Sequence, residues 1–225
     1  KWFFEHVNEG IIIEDDCVVC PDFFTFCGQM LEKYRNHNKV MSIGGFNFGF
    51  QSETENSYGF SRYMNMWGWA TWKREAIQID YEMNSWLGRT QLNKYLLIQS
   101  HCQSFDVMWQ LYWLQTFNKV AAYQNFDCWD YQWVYHQFRE KKISIFPHQN
   151  LVKNIGFNQF ATHTINSEHI IANTELQKLI EPIFHPTQII PDTKYEDICI
   201  KKRWCNFSSL AYFKQFIFSL VSKNN

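Results

Sequence analysis

The chain has 225 residues, a formal net charge of −1 and an aromatic content of 19%. Its length fits one ordinary domain, and its 46% hydrophobic and 19% charged fractions are typical of a globular rather than a disordered chain. Because a net charge near zero gives no field that attracts a polyanion, we expect no nucleic-acid partner. The many aromatic residues indicate either a core of large flat side chains or a surface that stacks on sugars or bases.

Membrane and redox signals are weak. The longest apolar runs are far shorter than the roughly 18 residues that span a bilayer, and the N-terminus lacks a basic-then-apolar signal. The seven cysteines show no closed disulfide pattern, and Cys17 and Cys20 form a single C-x-x-C without the second pair that zinc would need. We therefore expect a soluble, cytoplasmic protein with reduced thiols, and no feature supports membrane association.

Predicted strands and helices alternate along the chain. The β-branched run at 11–13 is apolar on both faces, as in a covered strand, and Phe23, Met30 and Tyr34 have helical spacing. The predicted elements are, in order, a strand at 11–13, a helix at 23–34, a strand at 40–43, a long loop at 46–63, a strand or turn at 67–72 entering a helix at 73–77, a helical region at 91–118, a helix at 129–140, a strand at 143–146 and a loop at 147–164. This alternation predicts an α/β sandwich with a mostly parallel central sheet.

The chain changes character near residue 165. Pro182, Pro186 and Pro191 mark irregular chain, and residues 208–222 form an amphipathic pattern typical of a packed terminal helix. We therefore predict a catalytic core at 1–165 and a C-terminal extension at 166–225.

Three consecutive acids follow the first predicted strand. Glu14, Asp15 and Asp16 would repel one another at the end of a buried strand unless a positive charge compensates them. Ligands of open α/β sheets lie at this end of the strands, and carboxylates with substrate phosphates suit Mg²⁺ or Mn²⁺. The sequence therefore predicts a divalent-cation site, with a solvated acidic turn as the alternative.

Several motifs together carry a family resemblance. They are Ile-Ile-Ile-Glu-Asp-Asp at 11–16, Pro-Asp-Phe-Phe at 21–24, Ser-Arg-Tyr at 61–63, Trp-Gly-Trp-Ala-Thr-Trp at 67–72, Asp-Cys-Trp-Asp-Tyr-Gln-Trp at 127–133, and the segments 150–152, 154–157 and 161–164. The first two resemble the D-x-D region of GT-A fold glycosyltransferases, especially the Golgi N-acetylglucosaminyltransferase I type. The others resemble bacterial nucleotide-diphospho-sugar transferases, some called hemolytic-protein-like. The resemblance implies a GT-A fold over residues 1–165, and we expect this chain to lack the family's N-terminal nucleotide-binding strands.

On the donor side, the resemblance and the chemistry imply a cation held by Asp16 that neutralises the departing diphosphate. His163 is similar in position to a histidine that such enzymes use against the metal or diphosphate, and an ordinary loop histidine is the alternative. Glu14 and Asp15 would orient the metal, the ribose or the sugar hydroxyls. Arg62 would pair with the diphosphate, unless it forms a surface salt bridge.

On the acceptor side, an inverting transfer needs a base, and Asp130 resembles the family's catalytic acid position. Asp127 is the alternative base, in which case Asp130 caps a helix. Trp67, Gly68 and Trp69 would form an aromatic wall for the acceptor sugar, with core packing as the rival.

The sequence thus predicts a metal-dependent, inverting glycosyltransferase of hexosyl or N-acetylhexosaminyl type. Its partners would be a nucleotide-diphosphate sugar and a glycan or other hydroxyl acceptor. Two alternatives stay open: a glycoside hydrolase that uses paired carboxylates such as Asp16 and Asp130, and a carbohydrate-binding or interaction module derived from a transferase.

Overall fold

A computed structural model of the chain describes residues 2–102, 107–122, 129–156 and 174–204. The elements are α1 (Trp2–His6), β1 (Glu9–Ile12), β2 (Cys17–Val19), α2 (Asp22–Tyr34), β3 (Val40–Gly44), β4 (Tyr58–Ser61), β5 (Trp69–Trp72), α3 (Lys73–Ala76), α4 (Asn84–Leu87), α5 (Gln91–Cys102), α6 (Val107–Ala122), α7 (Asp130–Arg139), β6 (Ile143–Pro147), β7 (Val152–Asn154) and α8 (Thr193–Trp204).

The main sheet has five strands in the order β1-β5-β3-β6-β4. β5 is antiparallel to both β1 and β3, β4 is antiparallel to β6, and β3 with β6 forms the parallel pair. The described chain is therefore mixed α/β, as predicted, but its sheet is mostly antiparallel. The prediction of a mostly parallel sheet was wrong.

The error has a physical cause in the connections. A parallel pair needs a long crossover, whereas a short connection returns the chain in the opposite direction. The helix α2 joins β1 to β3, so these two strands run the same way. β4 lies inside the predicted loop at 46–63, and the helix-free connection between β3 and β4 reverses the chain. β5, in the segment predicted as a strand or turn at 67–72, runs in the same direction as β4 and against β1 and β3. β4 and β5 therefore supply the antiparallel pairs.

The middle strands form the core with α2. Every residue of β3, β5 and β6 is buried, whereas β1 is half-buried at one edge. Phe23, Phe26, Met30 and Tyr34 lie on one face of α2 and are all buried, which confirms the predicted helix. Burying a side chain of this size stabilises the fold by about 1.5–3 kcal/mol, so this face holds α2 firmly on the sheet.

Two further elements lie in segments predicted to be irregular. β7 is inside the predicted loop at 147–164 and pairs with β2 in a two-stranded ribbon. Residues 174–192 then run over the first sheet, where the Gln177 amide donates to the Asn150 carbonyl and the Asp192 amide donates to the Phe60 carbonyl, both at 2.8 Å. α8 follows; the predicted terminal helix at 208–222 lies outside the described residues.

The described residues divide into two compact units. Unit 1 contains the chain up to Gln78 and from Lys142 to Arg203, and unit 2 is built around Ile79–Lys141. The predicted boundary at residue 165 lies outside the described residues. In unit 2, the helical region predicted at 91–118 is two helices, α5 and α6. None of the described helices is long and apolar enough to cross a membrane.

Candidate metal and donor site

The three acids follow β1 at its carboxyl end. The Cys17 amide donates to the Glu14 carbonyl at 3.0 Å, which closes a turn before β2. Ligand atoms of Glu14, Asp16 and Cys17 all lie within 4.8 Å of one another, and all three residues are half-buried. Asp15 is exposed and does not belong to this group. Of the three predicted acids, Glu14 and Asp16 thus lie close together, whereas Asp15 points into solvent.

Asp16 is held in place by a distant segment. Asn154 Nδ2 donates to Asp16 Oδ2 at 3.0 Å. The Ile155 amide donates to the Asp16 carbonyl at 2.8 Å, and the Gly156 amide donates to Asn154 Oδ1 at 2.7 Å. A side chain at Gly156 would collide with the Asp16 carboxylate, so only glycine fits there. The acid that the sequence assigned to the metal is therefore fixed by β7 and the residues after it.

Sequence reasoning did not identify Asn154 or Gly156 as site residues. Both lie in the segment 154–157, which contributed to the family resemblance without a role. The register of the β2–β7 ribbon explains the meeting, because Cys17 is paired with Asn154. The sequence signal that could have identified Asn154 and Gly156 was their position in the segment 154–157, which is one of the motifs that carry the family resemblance.

The thiol of Cys17 lies beside the acids. It donates to Asp16 Oδ1 at 3.6 Å. Burial, followed by the charges of Asp16 and Glu14, raises the pKa of Cys17 to about 12. The Glu14 and Asp16 carboxylates are hard oxygen donors, which fit Mg²⁺ or Mn²⁺ completed by phosphate oxygens or water.

The predicted acceptor wall reaches the same edge of the sheet. Trp69 begins β5 and is paired with Ile12 on one side and with Gly44 on the other. The residues just before Trp69 therefore lie where β1 and β3 end. This arrangement brings the segment at 67–69 and the acids to one edge of unit 1.

The three wall residues differ in what they expose. Trp67 is half-buried, with its ring centroid 5.0 Å from that of Phe46. Gly68 has a φ of +59°, and a Cβ there would lie 2.7 Å from Val152 Cγ2, so it serves the turn. Trp69 is 1% exposed, and its ring is a core element that offers no free face to a sugar. Of the predicted wall, Trp67 is the residue with accessible aromatic surface.

Arg62 is committed to an ion pair in the structure. Its Nε lies 3.0 Å from Glu196 Oε2, its Nη2 contacts the same oxygen, and the backbone amide donates to Glu196 Oε1 at 2.6 Å. The side chains are 12% and 4% exposed. The partner comes from α8, so this is a buried bridge between β4 and a helix rather than a surface salt bridge. That Arg62 pairs with a diphosphate stays a prediction.

Asp130 is the first residue of α7 in unit 2 and is half-buried. Its Oδ1 accepts the Tyr131 amide at 3.0 Å. Trp133, one turn later, is 3% exposed and donates from Nε1 to the Tyr81 hydroxyl at 3.3 Å. A buried tryptophan therefore anchors the helix turn that carries Asp130. Asp127 and His163 lie outside the described residues.

Comparison with known proteins adds no family to this picture: no protein-family model matches the chain, and no curated protein matches it significantly.

Proposed function

We propose that unit 1 binds a divalent cation through Glu14 and Asp16 and uses it to hold the diphosphate of a nucleotide-sugar donor for glycosyl transfer. The observation that carries this proposal is the Asp16 carboxylate, held at the end of β1 by Asn154 with the Glu14 carboxylate beside it. Two neighbouring carboxylates repel each other, and a cation between them offsets that repulsion, while the Asn154 amide keeps Asp16 oriented for the cation.

The sheet supports the same reading. β1, β3 and β6 run in one direction, and the acids leave the carboxyl end of β1, where ligands of open α/β sheets bind. Asp16 of the motif at 11–16 contacts Asn154 and Ile155, which belong to another motif of the resemblance. This contact between two motifs supports the proposal.

The proposed reaction is an inverting transfer. The acceptor hydroxyl oxygen forms a bond to the anomeric carbon of the donor sugar, and the bond from that carbon to the diphosphate oxygen breaks. When bound, the cation neutralises the negative charge that develops on the departing diphosphate. A carboxylate takes the hydroxyl proton, and the sequence resemblance assigns this role to Asp130, with Asp127 as its rival.

The residues keep distinct roles in this proposal. Glu14 and Asp16 hold the cation, and Asn154 orients Asp16 through its amide. Trp67 offers an aromatic face to the acceptor at the same sheet edge. We assign no donor contact to Arg62 in this proposal, because its guanidinium is paired with Glu196.

The test is calorimetry with manganese and uridine or guanosine diphosphate, on matched variants of neighbouring acids. Asp16→Asn should weaken manganese-dependent nucleotide binding by more than about 100-fold, because it removes a ligand charge from the site. Asp15→Asn, an equal change of charge at the exposed neighbour, should alter binding far less. Equal losses in both variants would mean that general acidity, and not a metal site, explains the binding.

Turnover separates this function from the two alternatives. A metal-dependent transferase consumes nucleotide sugar with manganese and stops when a chelator is added. A glycoside hydrolase cleaves glycosides with the chelator present and needs no nucleotide, and a binding module turns over neither substrate. Either of the latter results would overturn the proposal.

A further inference from the structure

Unit 2 contains a cavity of about 320 Å³ beside α5 and the end of α7. One face of α5 lines it, through Asn93, Leu96, Leu97 and Ser100, whose spacing places them on a single helical stripe. The cavity therefore has a wall that combines apolar side chains with an amide and a hydroxyl.

Phe138 and three cations complete the lining. Arg89 comes from the residues before α5, and Arg139 and Lys141 come from the end of α7. Within the described part of the chain, no aspartate or glutamate lines the cavity. Arg139 is compensated by neighbouring acids, since its Nε donates to Glu140 Oε1 at 2.6 Å and, against the opposing effect of burial, its charge helps to lower the pKa of Asp80. Arg89 and Lys141 are therefore the cations of the lining on which a ligand site depends.

Arg89 carries the argument for a ligand. Its Nε is buried and has no hydrogen-bond acceptor among the residues that the structure describes. A buried donor without an acceptor costs about 1–3 kcal/mol, and the guanidinium that carries this Nε belongs to a residue that lines the cavity. An anion in the cavity would pair with that guanidinium through a charge-assisted hydrogen bond. The charge of Arg89 thus indicates the kind of group that the cavity takes.

Helix electrostatics account for part of this arrangement, but not for all of it. Arg139 and Lys141 follow the last turns of α7, where cations offset the negative pole of a helix. Arg89 precedes the first turn of α5, where the helix pole is positive and an anion is favoured. Lys141 also has a φ of +52°, a conformation in which glycine or asparagine is preferred after a helix. The choice of lysine there adds positive charge to the cavity at a conformational cost.

We propose that this cavity binds a phosphate-sized oxyanion, either free phosphate or the phosphate of a small phosphomonoester. Arg89 and Lys141 supply the charge, and the α5 stripe supplies the amide of Asn93 and the hydroxyl of Ser100. This site is independent of the cation proposed at Glu14 and Asp16.

The test is a titration of the full chain with inorganic phosphate at constant ionic strength, followed by calorimetry. A chelator is present throughout, so that no metal-bound phosphate contributes. The wild type should show saturable binding to one site, and Arg89→Gln should weaken it by about tenfold, the effect of one charge-assisted contact. Lys119→Gln removes an exposed cation of α6 that does not line the cavity and should leave the affinity unchanged. Absence of saturable binding, or equal weakening in both variants, would overturn the proposal.

A second variant separates binding from folding. Lys141→Gly removes the charge and suits the positive φ, so it should weaken phosphate binding while the melting temperature stays the same or rises. Unchanged phosphate affinity in Lys141→Gly would contradict its assigned role and overturn the site as described. A parallel titration with glucose 6-phosphate distinguishes the sources: tighter binding than phosphate supports a phosphomonoester ligand, and equal binding supports free phosphate.

Discussion

The acidic edge at Glu14 and Asp16 and the basic cavity beside α5 are built in opposite ways. The acids lie within three consecutive residues, so one strand end presents them together. The cations of the cavity come from positions 89, 139 and 141, and only the packing of α5 with α7 brings them to one place. A site made by one segment is visible in the sequence, whereas a site assembled from several segments is visible only in the fold.

The largest expected effect concerns Asp130, the candidate base that the sequence resemblance indicates. Asp130→Asn keeps the shape of the side chain and removes its basicity, so it should lower glycosyl transfer by roughly 10²–10⁴-fold with little change in donor affinity. Initial rates at saturating donor measure the first effect, and calorimetry measures the second.

Asp127→Asn is the matched comparison for that prediction and should lower transfer much less. The reverse result would make Asp127 the base and leave Asp130 a structural role at the start of α7. Full activity in both variants would remove the base-assisted inverting mechanism itself.

The next prediction concerns Arg62, which the sequence analysis assigned to the donor site. In the structure Arg62 forms an ion pair with Glu196, 134 residues away. Glu196→Gln leaves the buried guanidinium of Arg62 without its countercharge, so it should reduce the free energy of unfolding by about 3 kcal/mol. Urea denaturation of the full chain measures this loss.

Glu53→Gln is the control, since Glu53 pairs with Lys194 of the same helix at side-chain exposures of 76% and 69%. Solvent screens such a pair, so the variant should have almost unchanged stability. If Glu196→Gln instead left stability intact and altered donor affinity, the Arg62 bridge would belong to the donor site after all.

Local pattern predicted the elements whose own residues determine them. The helix at 23–34 and the strands at 40–43 and 143–146 are confirmed by α2, β3 and β6, because α2 presents an apolar face and both strands are mainly apolar and fully buried. β4 and β7 were missed since they are four and three residues long. Strands this short owe their conformation to the strand they pair with, and no local pattern records that partner.

The same limit applies to the site. Glu14 and Asp16 could be predicted from their position after a strand, but Asn154 could not, because its contact with Asp16 spans 138 residues. Trp69 was assigned to the acceptor wall as part of the Trp-Gly-Trp segment at 67–69, whereas pairing on both sides places it in a central strand. Sequence indicates which side chains carry chemistry; burial and pairing decide which of them a ligand can reach.

A smaller effect is expected from Asn154, which a distant segment of the chain brings to the acidic edge. Asn154→Ala removes the donor to Asp16 Oδ2, so the carboxylate loses its fixed orientation and manganese affinity should fall by about tenfold. Calorimetry with manganese alone checks this. Asn38→Ala, at an exposed asparagine before β3, is the control and should bind manganese like the wild type. Unchanged affinity in Asn154→Ala would mean that the acids alone define the site.

The smallest expected effect comes from His148, a buried histidine of unit 1 that neither the acidic edge nor the basic cavity uses. The residue is 8% exposed, its Nδ1 donates to the Asn56 carbonyl at 2.5 Å, and its Nε2 has no partner among the described residues. Burial lowers the pKa of His148 below its usual value of 6.5, against the opposing influence of the Asn56 carbonyl and Asp192. The neutral ring is therefore the form that the fold favours.

The sign of the pH dependence follows from that lowered pKa. The unfolded chain binds a proton at His148 more readily than the folded chain, so the free energy of unfolding should fall as the pH drops below about 6.5. His148→Asn retains an amide donor for the Asn56 carbonyl and removes the titration, so it should reduce the stability difference between pH 7.5 and pH 5.5 in urea denaturation. His185→Asn should reduce it less, because the His185 ring is exposed and solvent screens its charge. An identical pH dependence in wild type and His148→Asn would show that other groups control the acid response of the sheet that carries Glu14 and Asp16.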